Sequence, residues 1–160
     1  MTMDKEKALV SLQSLCMKRE CCSSEILSKA RTALDGDTAA AEELLASLIA
    51  DKFVDDARYA AAFAREKSSL TGWGPAKIRY SLMMKGIARE TITAALGEID
   101  EEAASAKLDK LLAAKCKSLQ GDPYIKFKLI KYALSRGYGY AEVEPAVESI
   151  LTHSLSEENQ

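Results

Sequence analysis

The chain has 160 residues, 48% hydrophobic and 29% charged, a composition of soluble globular proteins that excludes a disordered or membrane-embedded chain. No apolar run approaches the roughly 18 residues that span a bilayer, and the charged start MTMDKEKALV lacks the apolar core of a signal peptide, so the expected address is the cytoplasm. The formal net charge of −2 is unevenly spread. Residues 70–89 carry Lys77, Arg79, Lys85 and Arg89 with no acid, and residues 123–141 carry Lys126, Lys128, Lys131 and Arg136 with no acid, while acids collect in 35–51 and 142–160. Two readings of the basic segments stay open, a positive surface gathered by folding and ordinary solvated helix faces.

Almost every segment has the composition of a helix, rich in Ala, Leu, Glu and Lys, with three prolines and no alternating β-branched run, so the expected class is all-α. In the first third, SSEILSKA and AAAEELLASLIADKFV are helical patterns separated by a break at Gly36. Cys16, Cys21, Cys22 and Cys116 lack the paired spacing of a zinc site or a thioredoxin-like pair, which favours free thiols, with a Cys21–Cys22 disulfide or redox switch as the alternative.

Asp55 stands before DARYAAAFAREK as an N-cap, and Thr71–Gly74 ends that helix. Pro75 suits a first helical turn, where its missing N–H costs nothing, and Gly86 supplies the left-handed residue that stops the helix. Asp122-Pro123 repeats this start and Gly137 repeats this stop. The offset between the two stops is 137 − 86 = 51, and at that offset Lys77 falls on Lys128, Ile78 on Leu129, Met83 on Leu134, Lys85 on Arg136, Ile87 on Tyr138, Ile92 on Val143 and Leu96 on Val147. Three tandem three-helix, helix-turn-helix-like repeats follow, at 1–51, 52–100 and 101–153, with a frayed tail at 154–160. Units this small bury little alone and are expected to stack into an elongated, curved array.

The middle repeat resembles the signature of the RecX family of recombination regulators. The matching residues are Asp55, Asp56, Ala57, Arg58, Tyr59, Ala60 and Phe63, then Gly74, Pro75, Lys77, Ile78, Leu82, Lys85, Gly86 and Ile87. The later stretch KYALSRGYGYAEV is similar to the family's third-repeat pattern through Tyr132, Leu134, Arg136, Gly137, Tyr138, Tyr140 and Val143. The resemblance implies a regulator without catalysis or cofactor. It implies a protein that binds RecA and the RecA filament on single-stranded DNA, inhibiting ATP hydrolysis and strand exchange in repair and recombination. Direct DNA contact, no membrane partner and a monomeric state complete that expectation. The alternative is a sequence-tolerant DNA-binding helical module that acts without RecA.

The residues themselves argue against an enzyme. The one histidine, His153, is expected on the surface of a last helical turn and has no nucleophilic set around it, and no glycine-rich loop carries the Lys-Ser/Thr of a phosphate site. The acidic pairs Asp55-Asp56 and Glu101-Glu102 open helices and are expected to cap them rather than hold a metal. On the 75–86 helix, Ile78 and Leu82 share one face, and Lys77, Tyr80 and Met84 share another, flanked by Arg79 and Met83. That second stripe suits an interface anchor or packing on a neighbouring repeat, and the same pair of readings holds for Lys126, Lys128 and Lys131. Trp73 plugs a gap between repeats or offers its ring to a partner. Arg58 has an expected ion pair with Asp55 or Glu66, or a contact with a partner.

Overall fold

The computed structural model describes residues 4–158, and among them it contains nine α-helices and no strand. In chain order these are α1 (Lys5–Lys18), α2 (Ser23–Ala33), α3 (Thr38–Ala50), α4 (Asp56–Glu66), α5 (Pro75–Met84), α6 (Arg89–Gly97), α7 (Glu101–Ser118), α8 (Ile125–Ser135) and α9 (Tyr140–Glu158). A single π-helical turn, Lys67–Thr71, follows α4. None of the described helices is long and apolar enough to cross a membrane.

Local chemistry sets the ends. Asp4, Asp37 and Asp100 each accept from amides in the first turn of α1, α3 and α7, and Asp55 accepts from the Arg58 amide to open α4. At the end of α5 the Ile87 N–H returns to the Leu82 carbonyl and the Gly86 N–H to the Met83 carbonyl, with Gly86 at φ +78. This is a Schellman stop, and α8 repeats it through Tyr138 to Ala133 and Gly137 to Leu134. The α2 and α3 stops have the same two-bond pattern, but the left-handed residue is Asp35 (φ +58) in one and Lys52 (φ +63) in the other. The first stop is thus one residue earlier than the glycine at 36.

The chain groups into two compact units. One holds the residues up to Phe63 together with Leu82–Ala95; the other holds Ala64–Ser81 and the chain from Leu96 on. In the first, α1, α2 and α3 pack on one another around Leu12, Ile26, Leu48 and Val54. In the second, α7, α8 and α9 pack around Leu108, Leu112, Leu129, Val143 and Val147, and α7 also meets the π-helical turn. The boundaries between the two sets of residues fall within α4, α5 and α6.

Three expectations need correction. Helix α8 begins at Ile125 rather than directly after Asp122, because Asp122 accepts from the Tyr124 amide and holds 122–124 in a turn. Helix α9 continues to Glu158, past the expected fray at 154: Leu151 packs on the α7–α9 core and the Gln120 amide donates to Ser154 Oγ at 3.5 Å. Residues 159–160 of the expected tail lie outside the described residues. His153 is exposed and more than one turn before that end.

All four cysteines are free and buried. Burial pushes the Cys21 thiol up to about 12, and it pushes Cys16, Tyr59 and Tyr138 up as well. These groups favour the fold while the unfolded thiols stay protonated, below about pH 8.5. As the pH rises toward 12 the unfolded chain ionises first and that contribution is lost. Urea midpoints measured at pH 8 and pH 10.5 should therefore fall, and Cys21→Ala should shrink the fall. Lys52→Gly removes a left-handed lysine and should stabilise the chain by about 0.5–1 kcal/mol in the same assay.

Candidate interaction surface

The signature residues divide into those that build the helix junctions and those that face solvent. In the second unit, the Gly74 N–H donates to the Arg136 carbonyl at 2.7 Å and the Ala76 N–H donates to the Gly137 carbonyl at 3.1 Å. The stop of α8 thus satisfies amides at the start of α5 that the helix itself leaves unpaired. A Cβ at Gly74 would lie 2.4 Å from Gly137 carbonyl atoms, and one at Gly137 would lie 2.5 Å from Lys77 Cβ. Only glycine permits this approach at either place. The Arg136 guanidinium closes the junction by donating to the carbonyls of Thr71 and Gly72.

The first unit uses the same two places of the 51-residue repeat. Ser24, the counterpart of Pro75, donates from Oγ to the carbonyl of Lys85, the counterpart of Arg136, at 2.5 Å. Ser23 begins α2, whose N-cap residue Cys22 makes no side-chain cap bond. Asp56 supplies it instead, accepting from the Ser23 N–H at 2.8 Å. Arg58 pairs with neither Asp55 nor Glu66. Its Nε donates to both carboxylate oxygens of Glu20, at 2.6 and 2.9 Å, and its Nη2 to the carbonyls of Lys52 and Phe53. The side chain therefore ties the α1–α2 and α3–α4 links together, which Lys could not do from one terminal nitrogen. Tyr59 is buried and stacks on Phe63, with ring centroids 6.0 Å apart.

The basic candidates are unequal. Lys77 is half-buried with its ammonium 4.7 Å from the Trp73 ring, where Lys67 also sits at 4.7 Å. Lys85 is half-buried over the Phe63 ring at 5.8 Å. Lys126 pairs with Glu148, whose carboxylate holds the ammonium above its ordinary range, and Lys128 pairs with Asp122, whose carboxyl is held low in turn. Arg136 is committed to the junction. Arg79, Arg89 and Lys131 are exposed, and Lys131 makes no ion pair among the described residues.

Large apolar groups stand beside the exposed bases. On α5, Ile78 and Leu82 are buried, whereas Tyr80 is 61% and Met84 is 67% exposed, with Met83 also outside. At α8, Leu129 and Ala133 are buried while Tyr124, Phe127 and Leu134 face solvent, Phe127 at 65%. Tyr124, Phe127, Lys131 and Leu134 recur at helical three- and four-residue steps, so they form one stripe. The sequence reading missed Tyr124, Phe127 and Leu134 as surface groups. The signal was the 51-residue offset itself, which sets Leu134 on the exposed Met83.

Gly74→Ala and Gly137→Ala should each destabilise the chain by about 1–3 kcal/mol through overpacking against backbone, read as a drop in thermal midpoint. Gly139→Ala, with open space around its Cβ position, should leave the midpoint nearly unchanged and serves as the control.

Comparison with known proteins follows the same lines. Residues 55–96 match the family described as RecX, second three-helix domain. A regulatory protein RecX of Clostridium botulinum (strain Eklund 17B / Type B) is 37% identical over 107 residues, 64% of this chain and 50% of that protein. The regulatory protein RecX of Lactococcus lactis subsp. cremoris (strain SK11) is 30% identical over 128 residues, 78% of this chain and 47% of that protein. The chain spans about half the length of these curated relatives. The crystal structure of RecX from Lactobacillus salivarius superposes with a TM-score of 0.81 at 20% identity, covering 91% of this chain and 96% of that one. A further crystal structure of regulatory protein RecX gives 0.79 at 23%, covering 88% and 70%. The Asp55–Phe63 and Gly74–Ile87 signatures fall inside the matched domain. Residues 55–96 are thus similar to the RecX second three-helix domain, and the chain is related in sequence and in fold to the RecX regulatory proteins.

Proposed function

We propose that this protein is a non-catalytic regulator that binds the RecA recombinase, above all its filament on single-stranded DNA, and restrains ATP hydrolysis and strand exchange. The observation that carries the reading is the set of exposed apolar and aromatic side chains beside exposed bases on two firmly anchored helices. These are Tyr80, Met83 and Met84 with Arg79 on α5, and Tyr124, Phe127 and Leu134 with Lys131 at α8. Stripes of this kind are unfavourable in water unless something covers them, and rings or methionines next to an arginine are typical interface anchors. The similarity to regulatory proteins named RecX supports RecA as that partner. The chain acts on this reading as a cytoplasmic monomer built of three tandem units at 1–51, 52–100 and 101–153. The repeated burial of Ile78 and Leu129, Ile87 and Tyr138, and Ile92 and Val143 supports that division.

Of the basic set, Arg79, Arg89 and Lys131 are the side chains best placed to meet DNA or an acidic partner surface. Lys77, Lys85 and Arg136 act first by holding the helices that present them. A second reading, direct binding of single-stranded DNA without RecA, is favoured by the Tyr124–Phe127–Lys131 stripe, where two exposed rings stand beside a base as in stacking platforms.

The test is ATP hydrolysis by the cognate RecA on single-stranded DNA with this protein added from substoichiometric to equimolar amounts. Suppression is expected. The Arg79→Glu/Tyr80→Ala double variant should need roughly tenfold more protein for the same suppression, at unchanged helical circular dichroism. No suppression, together with binding to bare DNA that weakens steeply as salt rises, would contradict the RecA reading and favour the second.

A further inference from the structure

The second unit holds an open pocket of about 420 Å³ that the junction and the exposed stripes do not use. Its volume lies in the range of ligand sites, roughly 300–1,000 Å³. Trp73, Pro75, Leu96 and Ile99 give it an apolar wall. Ser68 reaches it from the π-helical turn, an irregularity that often marks functional positions. Tyr138, only 3% exposed, also lines it, and its hydroxyl is buried with no hydrogen-bond partner among the described residues. An unmet buried hydroxyl is costly, so a group that meets it gains from being there.

The charged side chains that line the cavity are both acids, while the ammoniums of Lys67 and Lys77 rest 4.7 Å from the ring of its Trp73. Glu101 and Glu142 line it, no basic side chain does, and neither carboxylate forms an ion pair among the described residues. Burial and, after it, the negative charge of Glu142 hold the Tyr138 phenol above its ordinary range, which keeps the hydroxyl neutral and able to accept. An apolar wall, a buried acceptor and two unpaired carboxylates are complementary to a multidentate cation on an apolar stem. A guanidinium has five donors to distribute among carboxylates and phenol, and its stem can lie along Pro75, Leu96 and Ile99.

We propose that this cavity receives an arginine side chain of a partner polypeptide, together with an adjacent apolar residue that fills the Trp73–Ile99 wall. The proposal does not depend on RecA being the partner. The neighbouring apolar residue follows from the volume, which exceeds what one arginine fills, and from the predominance of apolar groups in the wall.

Trp73 is the only tryptophan of the chain, so its fluorescence reports on this cavity in the full protein. The probes are N-acetyl-Leu-Arg-amide, the same peptide with citrulline in place of arginine, and agmatine. The arginine peptide should change the emission saturably, with half-saturation below about 1 mM, as befits a fragment of this size. The citrulline peptide should bind at least about tenfold more weakly, since it keeps the shape and loses the charge. Glu142→Gln should weaken the arginine peptide about fivefold or more. Tyr138→Phe should weaken it several-fold, while its thermal midpoint does not fall, because the hydroxyl it removes has no partner among the described residues. Equal binding of the two peptides, or no effect of Glu142→Gln, overturns the proposal. Agmatine binding as tightly as the arginine peptide overturns a polypeptide as the occupant and assigns the cavity to small guanidines.

Discussion

The backbone contact between Gly74 and Gly137 is the constraint on which the outward face of α5 depends. Two amides at the start of α5 are satisfied by two carbonyls at the stop of α8, and the approach leaves no room for a Cβ on either glycine. Hydrogen bonds that seal helix ends in this way remove the groups most costly to leave unmet. They also leave the outward side chains of α5 as the available ones. Lys77 meets Gly137 with its Cβ and the Trp73 ring with its ammonium, and the positions beyond it, Arg79 and Tyr80, face solvent.

The first unit reaches the same arrangement with different chemistry. Ser24 uses a hydroxyl where the second unit uses a backbone amide, and Asp56 caps α2 from a helix 33 residues away. The two solutions answer one demand, that the start of one second helix rest on the stop of the next. What α2 lacks is the pair of bases on α5, because at the 51-residue offset Ile26 and Ser28 stand in the places of Lys77 and Arg79. A repeat can therefore keep its packing and lose its partner chemistry, which is why matching folds carry less functional weight than the identity of exposed residues.

Features decided within a few residues were legible in the sequence. The Asp55 cap, the start at Pro75, and the stops at Gly86 and Gly137 all depend on local hydrogen bonding, and the 51-residue offset followed from them. Features decided by tertiary contact were not. Arg58 chose Glu20 rather than a neighbour on its own helix, Arg136 turned inward to two carbonyls, and Lys126 and Lys128 were neutralised by Glu148 and Asp122. Charge counts along the chain treat all of these as equal, whereas folding sets Lys126 and Lys128 against acids, turns Arg136 inward and leaves Arg79, Arg89 and Lys131 exposed. The π-helical turn at Lys67–Thr71 had no sequence signature either, because the break at 71–74 looks the same whether the helix stops or widens. The exposed rings of Tyr124 and Phe127 escaped notice because an apolar residue in an amphipathic pattern is first taken for core.

The most direct measurement is amide hydrogen exchange on the full chain, resolved to Gly74 and Ala76. Both lie at a loop-to-helix boundary, where amides without tertiary partners exchange quickly. If their N–H groups are held by the carbonyls of Arg136 and Gly137, both should exchange as slowly as the core amides of α7 and α8. Exchange at the rate of the open turn at Gly121 would contradict the account, because α5 would then lack the anchor that sets its outward face.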